Sequence, residues 1–139
     1  MLSWFTSSNH KKVNYEIVQE AQKNSIDYYL INTMPITDQD CLILGTLDAS
    51  REESTLNEML NSLNIPDKKI IVYGRNAHDK TIYKKASQLE QFGLKDVYIY
   101  LGGMFEWLLL QDIYGDIEFL TTKKVLDILR YKPVKIANE

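Results

Sequence analysis

Ile70-Ile71-Val72-Tyr73-Gly74-Arg75-Asn76-Ala77-His78-Asp79 is the stretch that decides the fold. Its first four residues are β-branched or aromatic and leave no polar face, as a parallel strand buried in mid-sheet requires. The run stops at Gly74, a polar loop follows, and Ile82, Ala86, Leu89 and Phe92 then recur at helical spacing up to Gly93, placed for a left-handed C-terminal cap. Strand, loop and helix are followed by a second strand-like run, Val97–Tyr100, and Gly102-Gly103 turn the chain into an apolar segment from Met104 to Ile113.

The same alternation extends towards the N-terminus. Tyr28–Ile31 reads as a buried strand, and Leu42–Leu44 repeats that pattern before Gly45. Asn14 can cap a short helix whose stripe is Ile17, Val18 and Ala21. Ser50 and Glu53 have capping-box spacing, and Leu56, Met59, Leu60 and Leu63 predict a helix from about Arg51 to Leu63, stopped by Asn64-Ile65-Pro66. Strands alternating with helices give an α/β fold, an open parallel sheet flanked by helices on both faces. One domain over 1–139 is expected, with a core at about 14–113 and a C-terminal extension at 114–139.

Composition narrows the function classes. Hydrophobic residues at 45% and charged residues at 25% are ordinary for a folded domain. A net charge of −3 supplies no general basic field for a phosphate backbone, so nucleic acid is not an expected partner. The apolar run Trp107–Leu110 is far short of the ~20 residues a membrane span needs. Met1–Val13 has Lys11 and Lys12 but neither arginine nor a secretory apolar stretch, so no cleaved targeting segment is expected. Cys41, the one cysteine, precludes an internal disulfide and fits a reducing compartment, so the expected location is cytoplasmic.

The loop Gly74–Asp79 lies where open parallel sheets bind ligands, beyond the strand ends and before a helix N-terminus. Gly74, Arg75, Asn76, Ala77, His78 and Asp79 include no nucleophile. Asp79 is placed to turn its carboxylate onto the N–H groups that an anionic substrate would need. Arg75 reads as a solvated loop charge, and Asp38 and Asp40 as a polar turn. His78 has only His10 as a histidine companion, and no metal or cofactor is expected. Cys41, beside Leu42 and Ile43, reads as a small buried hydrophobe rather than a relocated nucleophile.

These residues resemble a known family. Ile70–Gly74, the helix ending Leu89-Glu90-Gln91-Phe92-Gly93-Leu94, then Val97–Tyr100 and Gly102-Gly103-Met104-Phe105-Glu106-Trp107 are similar to the second half of a rhodanese domain. Tyr29-Leu30-Ile31-Asn32 and Leu42-Ile43-Leu44-Gly45-Thr46 resemble altered forms of two earlier segments of that family, so the resemblance spans roughly Tyr28 to Gln111. The text Glu106–Gly115 is also similar to small rhodanese-like proteins of large DNA viruses, which would place the chain in host cytoplasm or a virion.

The resemblance implies a rhodanese-like fold and, in active members, a loop cysteine that carries sulfur as a persulfide. Here Gly74 stands at that cysteine, and Asn32 and Met34 stand where the family has an aspartate and an arginine. The expected function is therefore a catalytically inactive module that binds a protein partner or self-associates. Small-anion or metabolite binding, or residual sulfurtransferase chemistry through the 74–81 loop, is the alternative.

The expected interaction surface is Leu108, Leu109, Ile113, Tyr114 and Phe119, because the helix after Gly103 is apolar on more than one face. Phe119, Leu120, Val125, Leu126, Ile128 and Leu129 predict an extension folded back over that helix, with Thr121 or Thr122 capping a last helix before Pro133.

Overall fold

In the computed structural model, which describes residues 10–61 and 68–135, Lys69–Tyr73 (β3) runs through the interior of a four-stranded parallel sheet. Its neighbours are Tyr28–Asn32 (β2) and Val97–Tyr100 (β4), and Lys11–Val13 (β1) pairs with the far side of β4, giving the order β1-β4-β3-β2. The register aligns Asn32, Tyr73 and Tyr100 across the sheet, so the loops after β2, β3 and β4 leave from one edge.

Period-two alternation divides the core. Leu30, Ile71, Tyr73 and Tyr100 point to one face, with Val18 and Ala21 of Tyr15–Lys23 (α1) and Met104, Trp107 and Leu108 of Gly103–Tyr114 (α4). Ile31, Ile70, Val72, Val97 and Ile99 point to the other, with Met59 of Ala49–Asn61 (α2) and Ile82, Ala86 and Leu89 of Thr81–Gln91 (α3). Residues 70–73 are each fully buried, which is why β3 carries no polar face.

Local signals behave in part as expected. Asn14 Oδ1 accepts from the amides of Glu16 (3.0 Å) and Ile17 (3.4 Å), capping α1. Gly93 takes φ +104°, closing α3 as its position predicts. The start of α2 differs: Asp48 Oδ1 accepts from Arg51 N at 3.0 Å, so the helix begins before Ser50 and the capping box is not used. The expected stop at Leu63 to Pro66 lies outside the described residues.

Two further expectations are corrected. Leu42–Leu44 forms no sheet strand, because its amides go elsewhere: Leu42 N to Thr122 Oγ1 (3.0 Å), Ile43 N to Tyr73 Oη (3.2 Å) and Leu44 N to Leu120 O (3.1 Å). The extension does fold back over α4, but it contains no final α-helix among the described residues. It runs irregularly and ends in a 3₁₀ turn, Ile128–Tyr131, with no side-chain cap. Thr121 and Thr122 are spent on Gln111 and on the Leu42 amide instead.

Candidate functional site

The loop after β3 is closed from within. Asp79 Oδ2 accepts from Arg75 N at 3.0 Å, and Asp79 Oδ1 accepts from Thr81 N at 3.0 Å and from Thr81 Oγ1 at 2.5 Å. One carboxylate thus takes the donor at the mouth of the loop and the first amide of α3. A Cβ on residue 74 would stand 2.5 Å from Asp79 Oδ2 and 3.0 Å from Thr33 Oγ1, so the carboxylate occupies the space into which a side chain there would point.

The loop is held from behind by the Gly102-Gly103 turn. Met104 N donates to Gly74 O and Phe105 N to Arg75 O, each at 3.0 Å. Gly103 adopts φ +67°, and a Cβ on it would meet Gly74 O at 2.5 Å, so both conformation and space exclude a side chain. Trp107 is fully buried beneath, its indole N–H donating to Leu120 O at 3.1 Å and its ring set edge-on to Phe119 at 5.0 Å.

From the front the loop is covered by the C-terminal segment. Asn76 is buried; its Nδ2 donates to Tyr131 O at 3.0 Å, while its Oδ1 accepts from His78 N at 2.9 Å. Arg75 is not the solvated charge expected of it. Its guanidinium donates to Asp38 Oδ2 (2.8 Å) and Arg130 O (2.7 Å) and lies 5.2 Å from the Tyr131 ring centroid, with Arg130 at 5.0 Å. Arg130 in turn forms a bidentate pair with Asp40, which holds the Asp40 carboxyl below its ordinary range. Asp38 and Asp40 are therefore two anchors of this segment and not a free polar turn. Neither had a signal in the local sequence, since their partners lie far along the chain.

Ala77 and His78 remain exposed at the tip of the loop. Cys41 is fully buried and its thiol donates to Lys123 O at 3.2 Å; burial pushes the thiol pKa up. A thiol so placed is a poor nucleophile. At the two other altered positions, Asn32 Oδ1 accepts from Met34 N at 3.0 Å and Met34 is buried in the core. A closed backbone turn and an apolar plug thus stand where the family resemblance implies an ion pair.

The apolar positions divide. Leu108 and Phe119 are 1% and 3% exposed and cannot form part of a free surface, because α4 turns Met104, Trp107, Leu108 and Gln111 inward and Phe119 packs under Trp107. Leu109, Ile113 and Tyr114 do face solvent, joined by Ile117 at 83% exposure. Among the described residues no helix is long and apolar enough to cross a membrane.

The family model described as Rhodanese-like domain matches residues 20–110. Among solved structures, the BH2092 protein of Bacillus halodurans superposes with a TM-score of 0.57 at 16% identity, over 81% of this chain and 80% of that one. A protein of unknown function from Rhodopseudomonas palustris, described as a possible tyrosine phosphatase, gives 0.55 at 18% identity, over 79% and 86%. The Alr3790 protein of Anabaena gives 0.54 at 15% identity, over 85% and 84%. At such identities the likeness is one of fold. No curated protein is similar enough in sequence to match.

Proposed function

Because the chain belongs to the rhodanese-like domain family, we propose that it is a member whose loop performs no sulfur transfer and whose work is protein binding or self-association. The observation that carries this reading is Asp79: its carboxylate takes the Arg75 and Thr81 amides and fills the space beside Gly74. Persulfide chemistry needs a thiolate stabilised by free loop N–H groups. This loop holds no thiol, Asp79 already takes the Arg75 and Thr81 amides, and its carboxylate would repel an anion such as phosphate from the same place. The phosphatase description of the Rhodopseudomonas structure therefore gains no support from these residues.

The binding half of the proposal is supported by Leu109, Ile113, Tyr114 and Ile117, exposed on α4 and the turn that follows. In this reading residues 1–139 form one domain, with 114–139 added to the family core, acting in the cytoplasm without cofactor or metal.

Two measurements test it. Purified protein is expected to show no thiosulfate:cyanide sulfurtransfer; turnover that survives Cys41→Ser would overturn the silent loop. Light scattering after size exclusion is expected to show self-association that Ile113→Lys with Tyr114→Lys abolishes, or, for a monomer, capture of a partner that the same pair abolishes. A monomer with no partner dependent on these residues removes the binding role.

A further inference from the structure

On the same side of the sheet, a cavity of about 290 Å³ opens between the end of β2, α2 and the first turns of α3. None of its lining residues belongs to the closed loop at 74–80. It is lined mainly by polar groups, including Asn32, Gln39, Glu52, Lys84 and Lys85. Asn32 is 6% exposed, and its Oδ1 is committed to the Met34 amide at 3.0 Å. Its Nδ2 has no hydrogen-bond partner among the described residues, and Asn32 lines the cavity, so this amide donor is available to a ligand there.

The remaining groups define what that donor would meet. Lys85 is paired with Glu52 at 2.5 Å, leaving the other Glu52 oxygen without a described partner. Lys84 has no ion-pair partner among the described residues, so the lining carries one net positive charge. Gln39 Nε2 donates to Met34 O at 2.8 Å, which leaves the Gln39 amide oxygen as an acceptor. Free donors of positive character thus sit beside free acceptors, a set that matches a singly charged organic anion carrying hydroxyl groups better than a bare inorganic anion.

We propose that this cavity binds a small hydroxycarboxylate, its carboxylate on Lys84 and Asn32 Nδ2 and its hydroxyls on Gln39 and Glu52. The site depends neither on the lost nucleophile nor on the apolar face of α4, so it can stand or fall apart from the proposed function.

The test is an NMR titration of the full chain with glycolate, D-glycerate and D-gluconate, with inorganic phosphate and L-serine as comparison probes. At least one hydroxycarboxylate is expected to give saturable shifts at the amides of Asn32, Thr33, Thr81 and Lys84. Phosphate and serine should bind roughly tenfold more weakly or not at all. Lys84→Glu, at an exposed helix position, should weaken binding by about tenfold or more. Asn32→Asp keeps the acceptor for the Met34 amide but removes the donor, and should abolish binding while the Met34 amide signal stays in place. No saturation with any of the three, equal affinity for phosphate, shifts confined to Arg75–Asp79, or unchanged affinity in Lys84→Glu each overturn the proposal.

Discussion

A Cβ at residue 74 would meet Asp79 Oδ2 at 2.5 Å and Cγ at 2.9 Å, so the glycine and the aspartate constrain each other. Restoring a cysteine alone therefore does not restore a site. Gly74→Cys forces the carboxylate out of its bonds to Arg75 N and Thr81 N, and overpacking of this kind costs about 1–3 kcal/mol. Adding Asp79→Ala relieves the contact, so the double variant is expected to be more stable than the sum of the single effects predicts, which a urea-denaturation double-mutant cycle measures. Additive losses would show that the two positions are independent. That Gly74 has no nucleophilic group was legible in the sequence, as was the direction in which Asp79 turns. That the two residues share one space was not, because a contact across four residues of loop depends on backbone shape and not on residue type.

At the scale of elements, what could be read depended on where each backbone found its hydrogen bonds. β3 and α3 were legible because their partners follow from a local period, and Gly93 marked its own turn. β1 was missed, being three residues long with two exposed lysines, and it exists only because β4 offers an open edge. Leu42–Leu44 and residues 119–123 misled for the opposite reason. Each has the composition of a regular element, but they bond to one another and to side chains from α4. Gln111 is the key to that arrangement: it is buried, and its Nε2 donates to Phe119 O at 2.8 Å and Thr121 Oγ1 at 3.0 Å. Gln111→Ala leaves the Phe119 carbonyl buried without that donor and is expected to cost about 1–3 kcal/mol. Amide exchange should rise selectively across 119–123 while α3 keeps its protection; uniform loss of protection would mean that the helix, and not the extension, depends on Gln111.

Across the whole molecule, the C-terminal segment covers the loop that leaves the end of β3. Arg75 and Arg130 flank the buried Tyr131 ring, Asp38 and Asp40 hold the two guanidinium groups, and Asn76 ties down the Tyr131 carbonyl. Part of this cover should respond to pH with a definite sign. The hydrogen bond from Arg130 depresses the Asp40 pKa in the folded chain, below the value of about 3.9 of a free aspartate. A group so depressed contributes stability above its unfolded pKa, and that contribution is lost as pH falls through the folded value. The Arg130 anchor should hold from neutral pH down to about pH 4 and release below it. Both side chains are partly exposed, at 42% for Asp40 and 31% for Arg130, so the pair is worth no more than about 1 kcal/mol and global melting will barely register it. The local reporters are the side-chain NMR signals of Arg130 and Asn76. In the wild type they should move together below about pH 4, and in Asp40→Asn the Arg130 signal should already be shifted at neutral pH and stay level on acidification. An Arg130 signal that titrates identically in both proteins would mean that the segment is held by the Arg75, Asn76 and Tyr131 contacts alone.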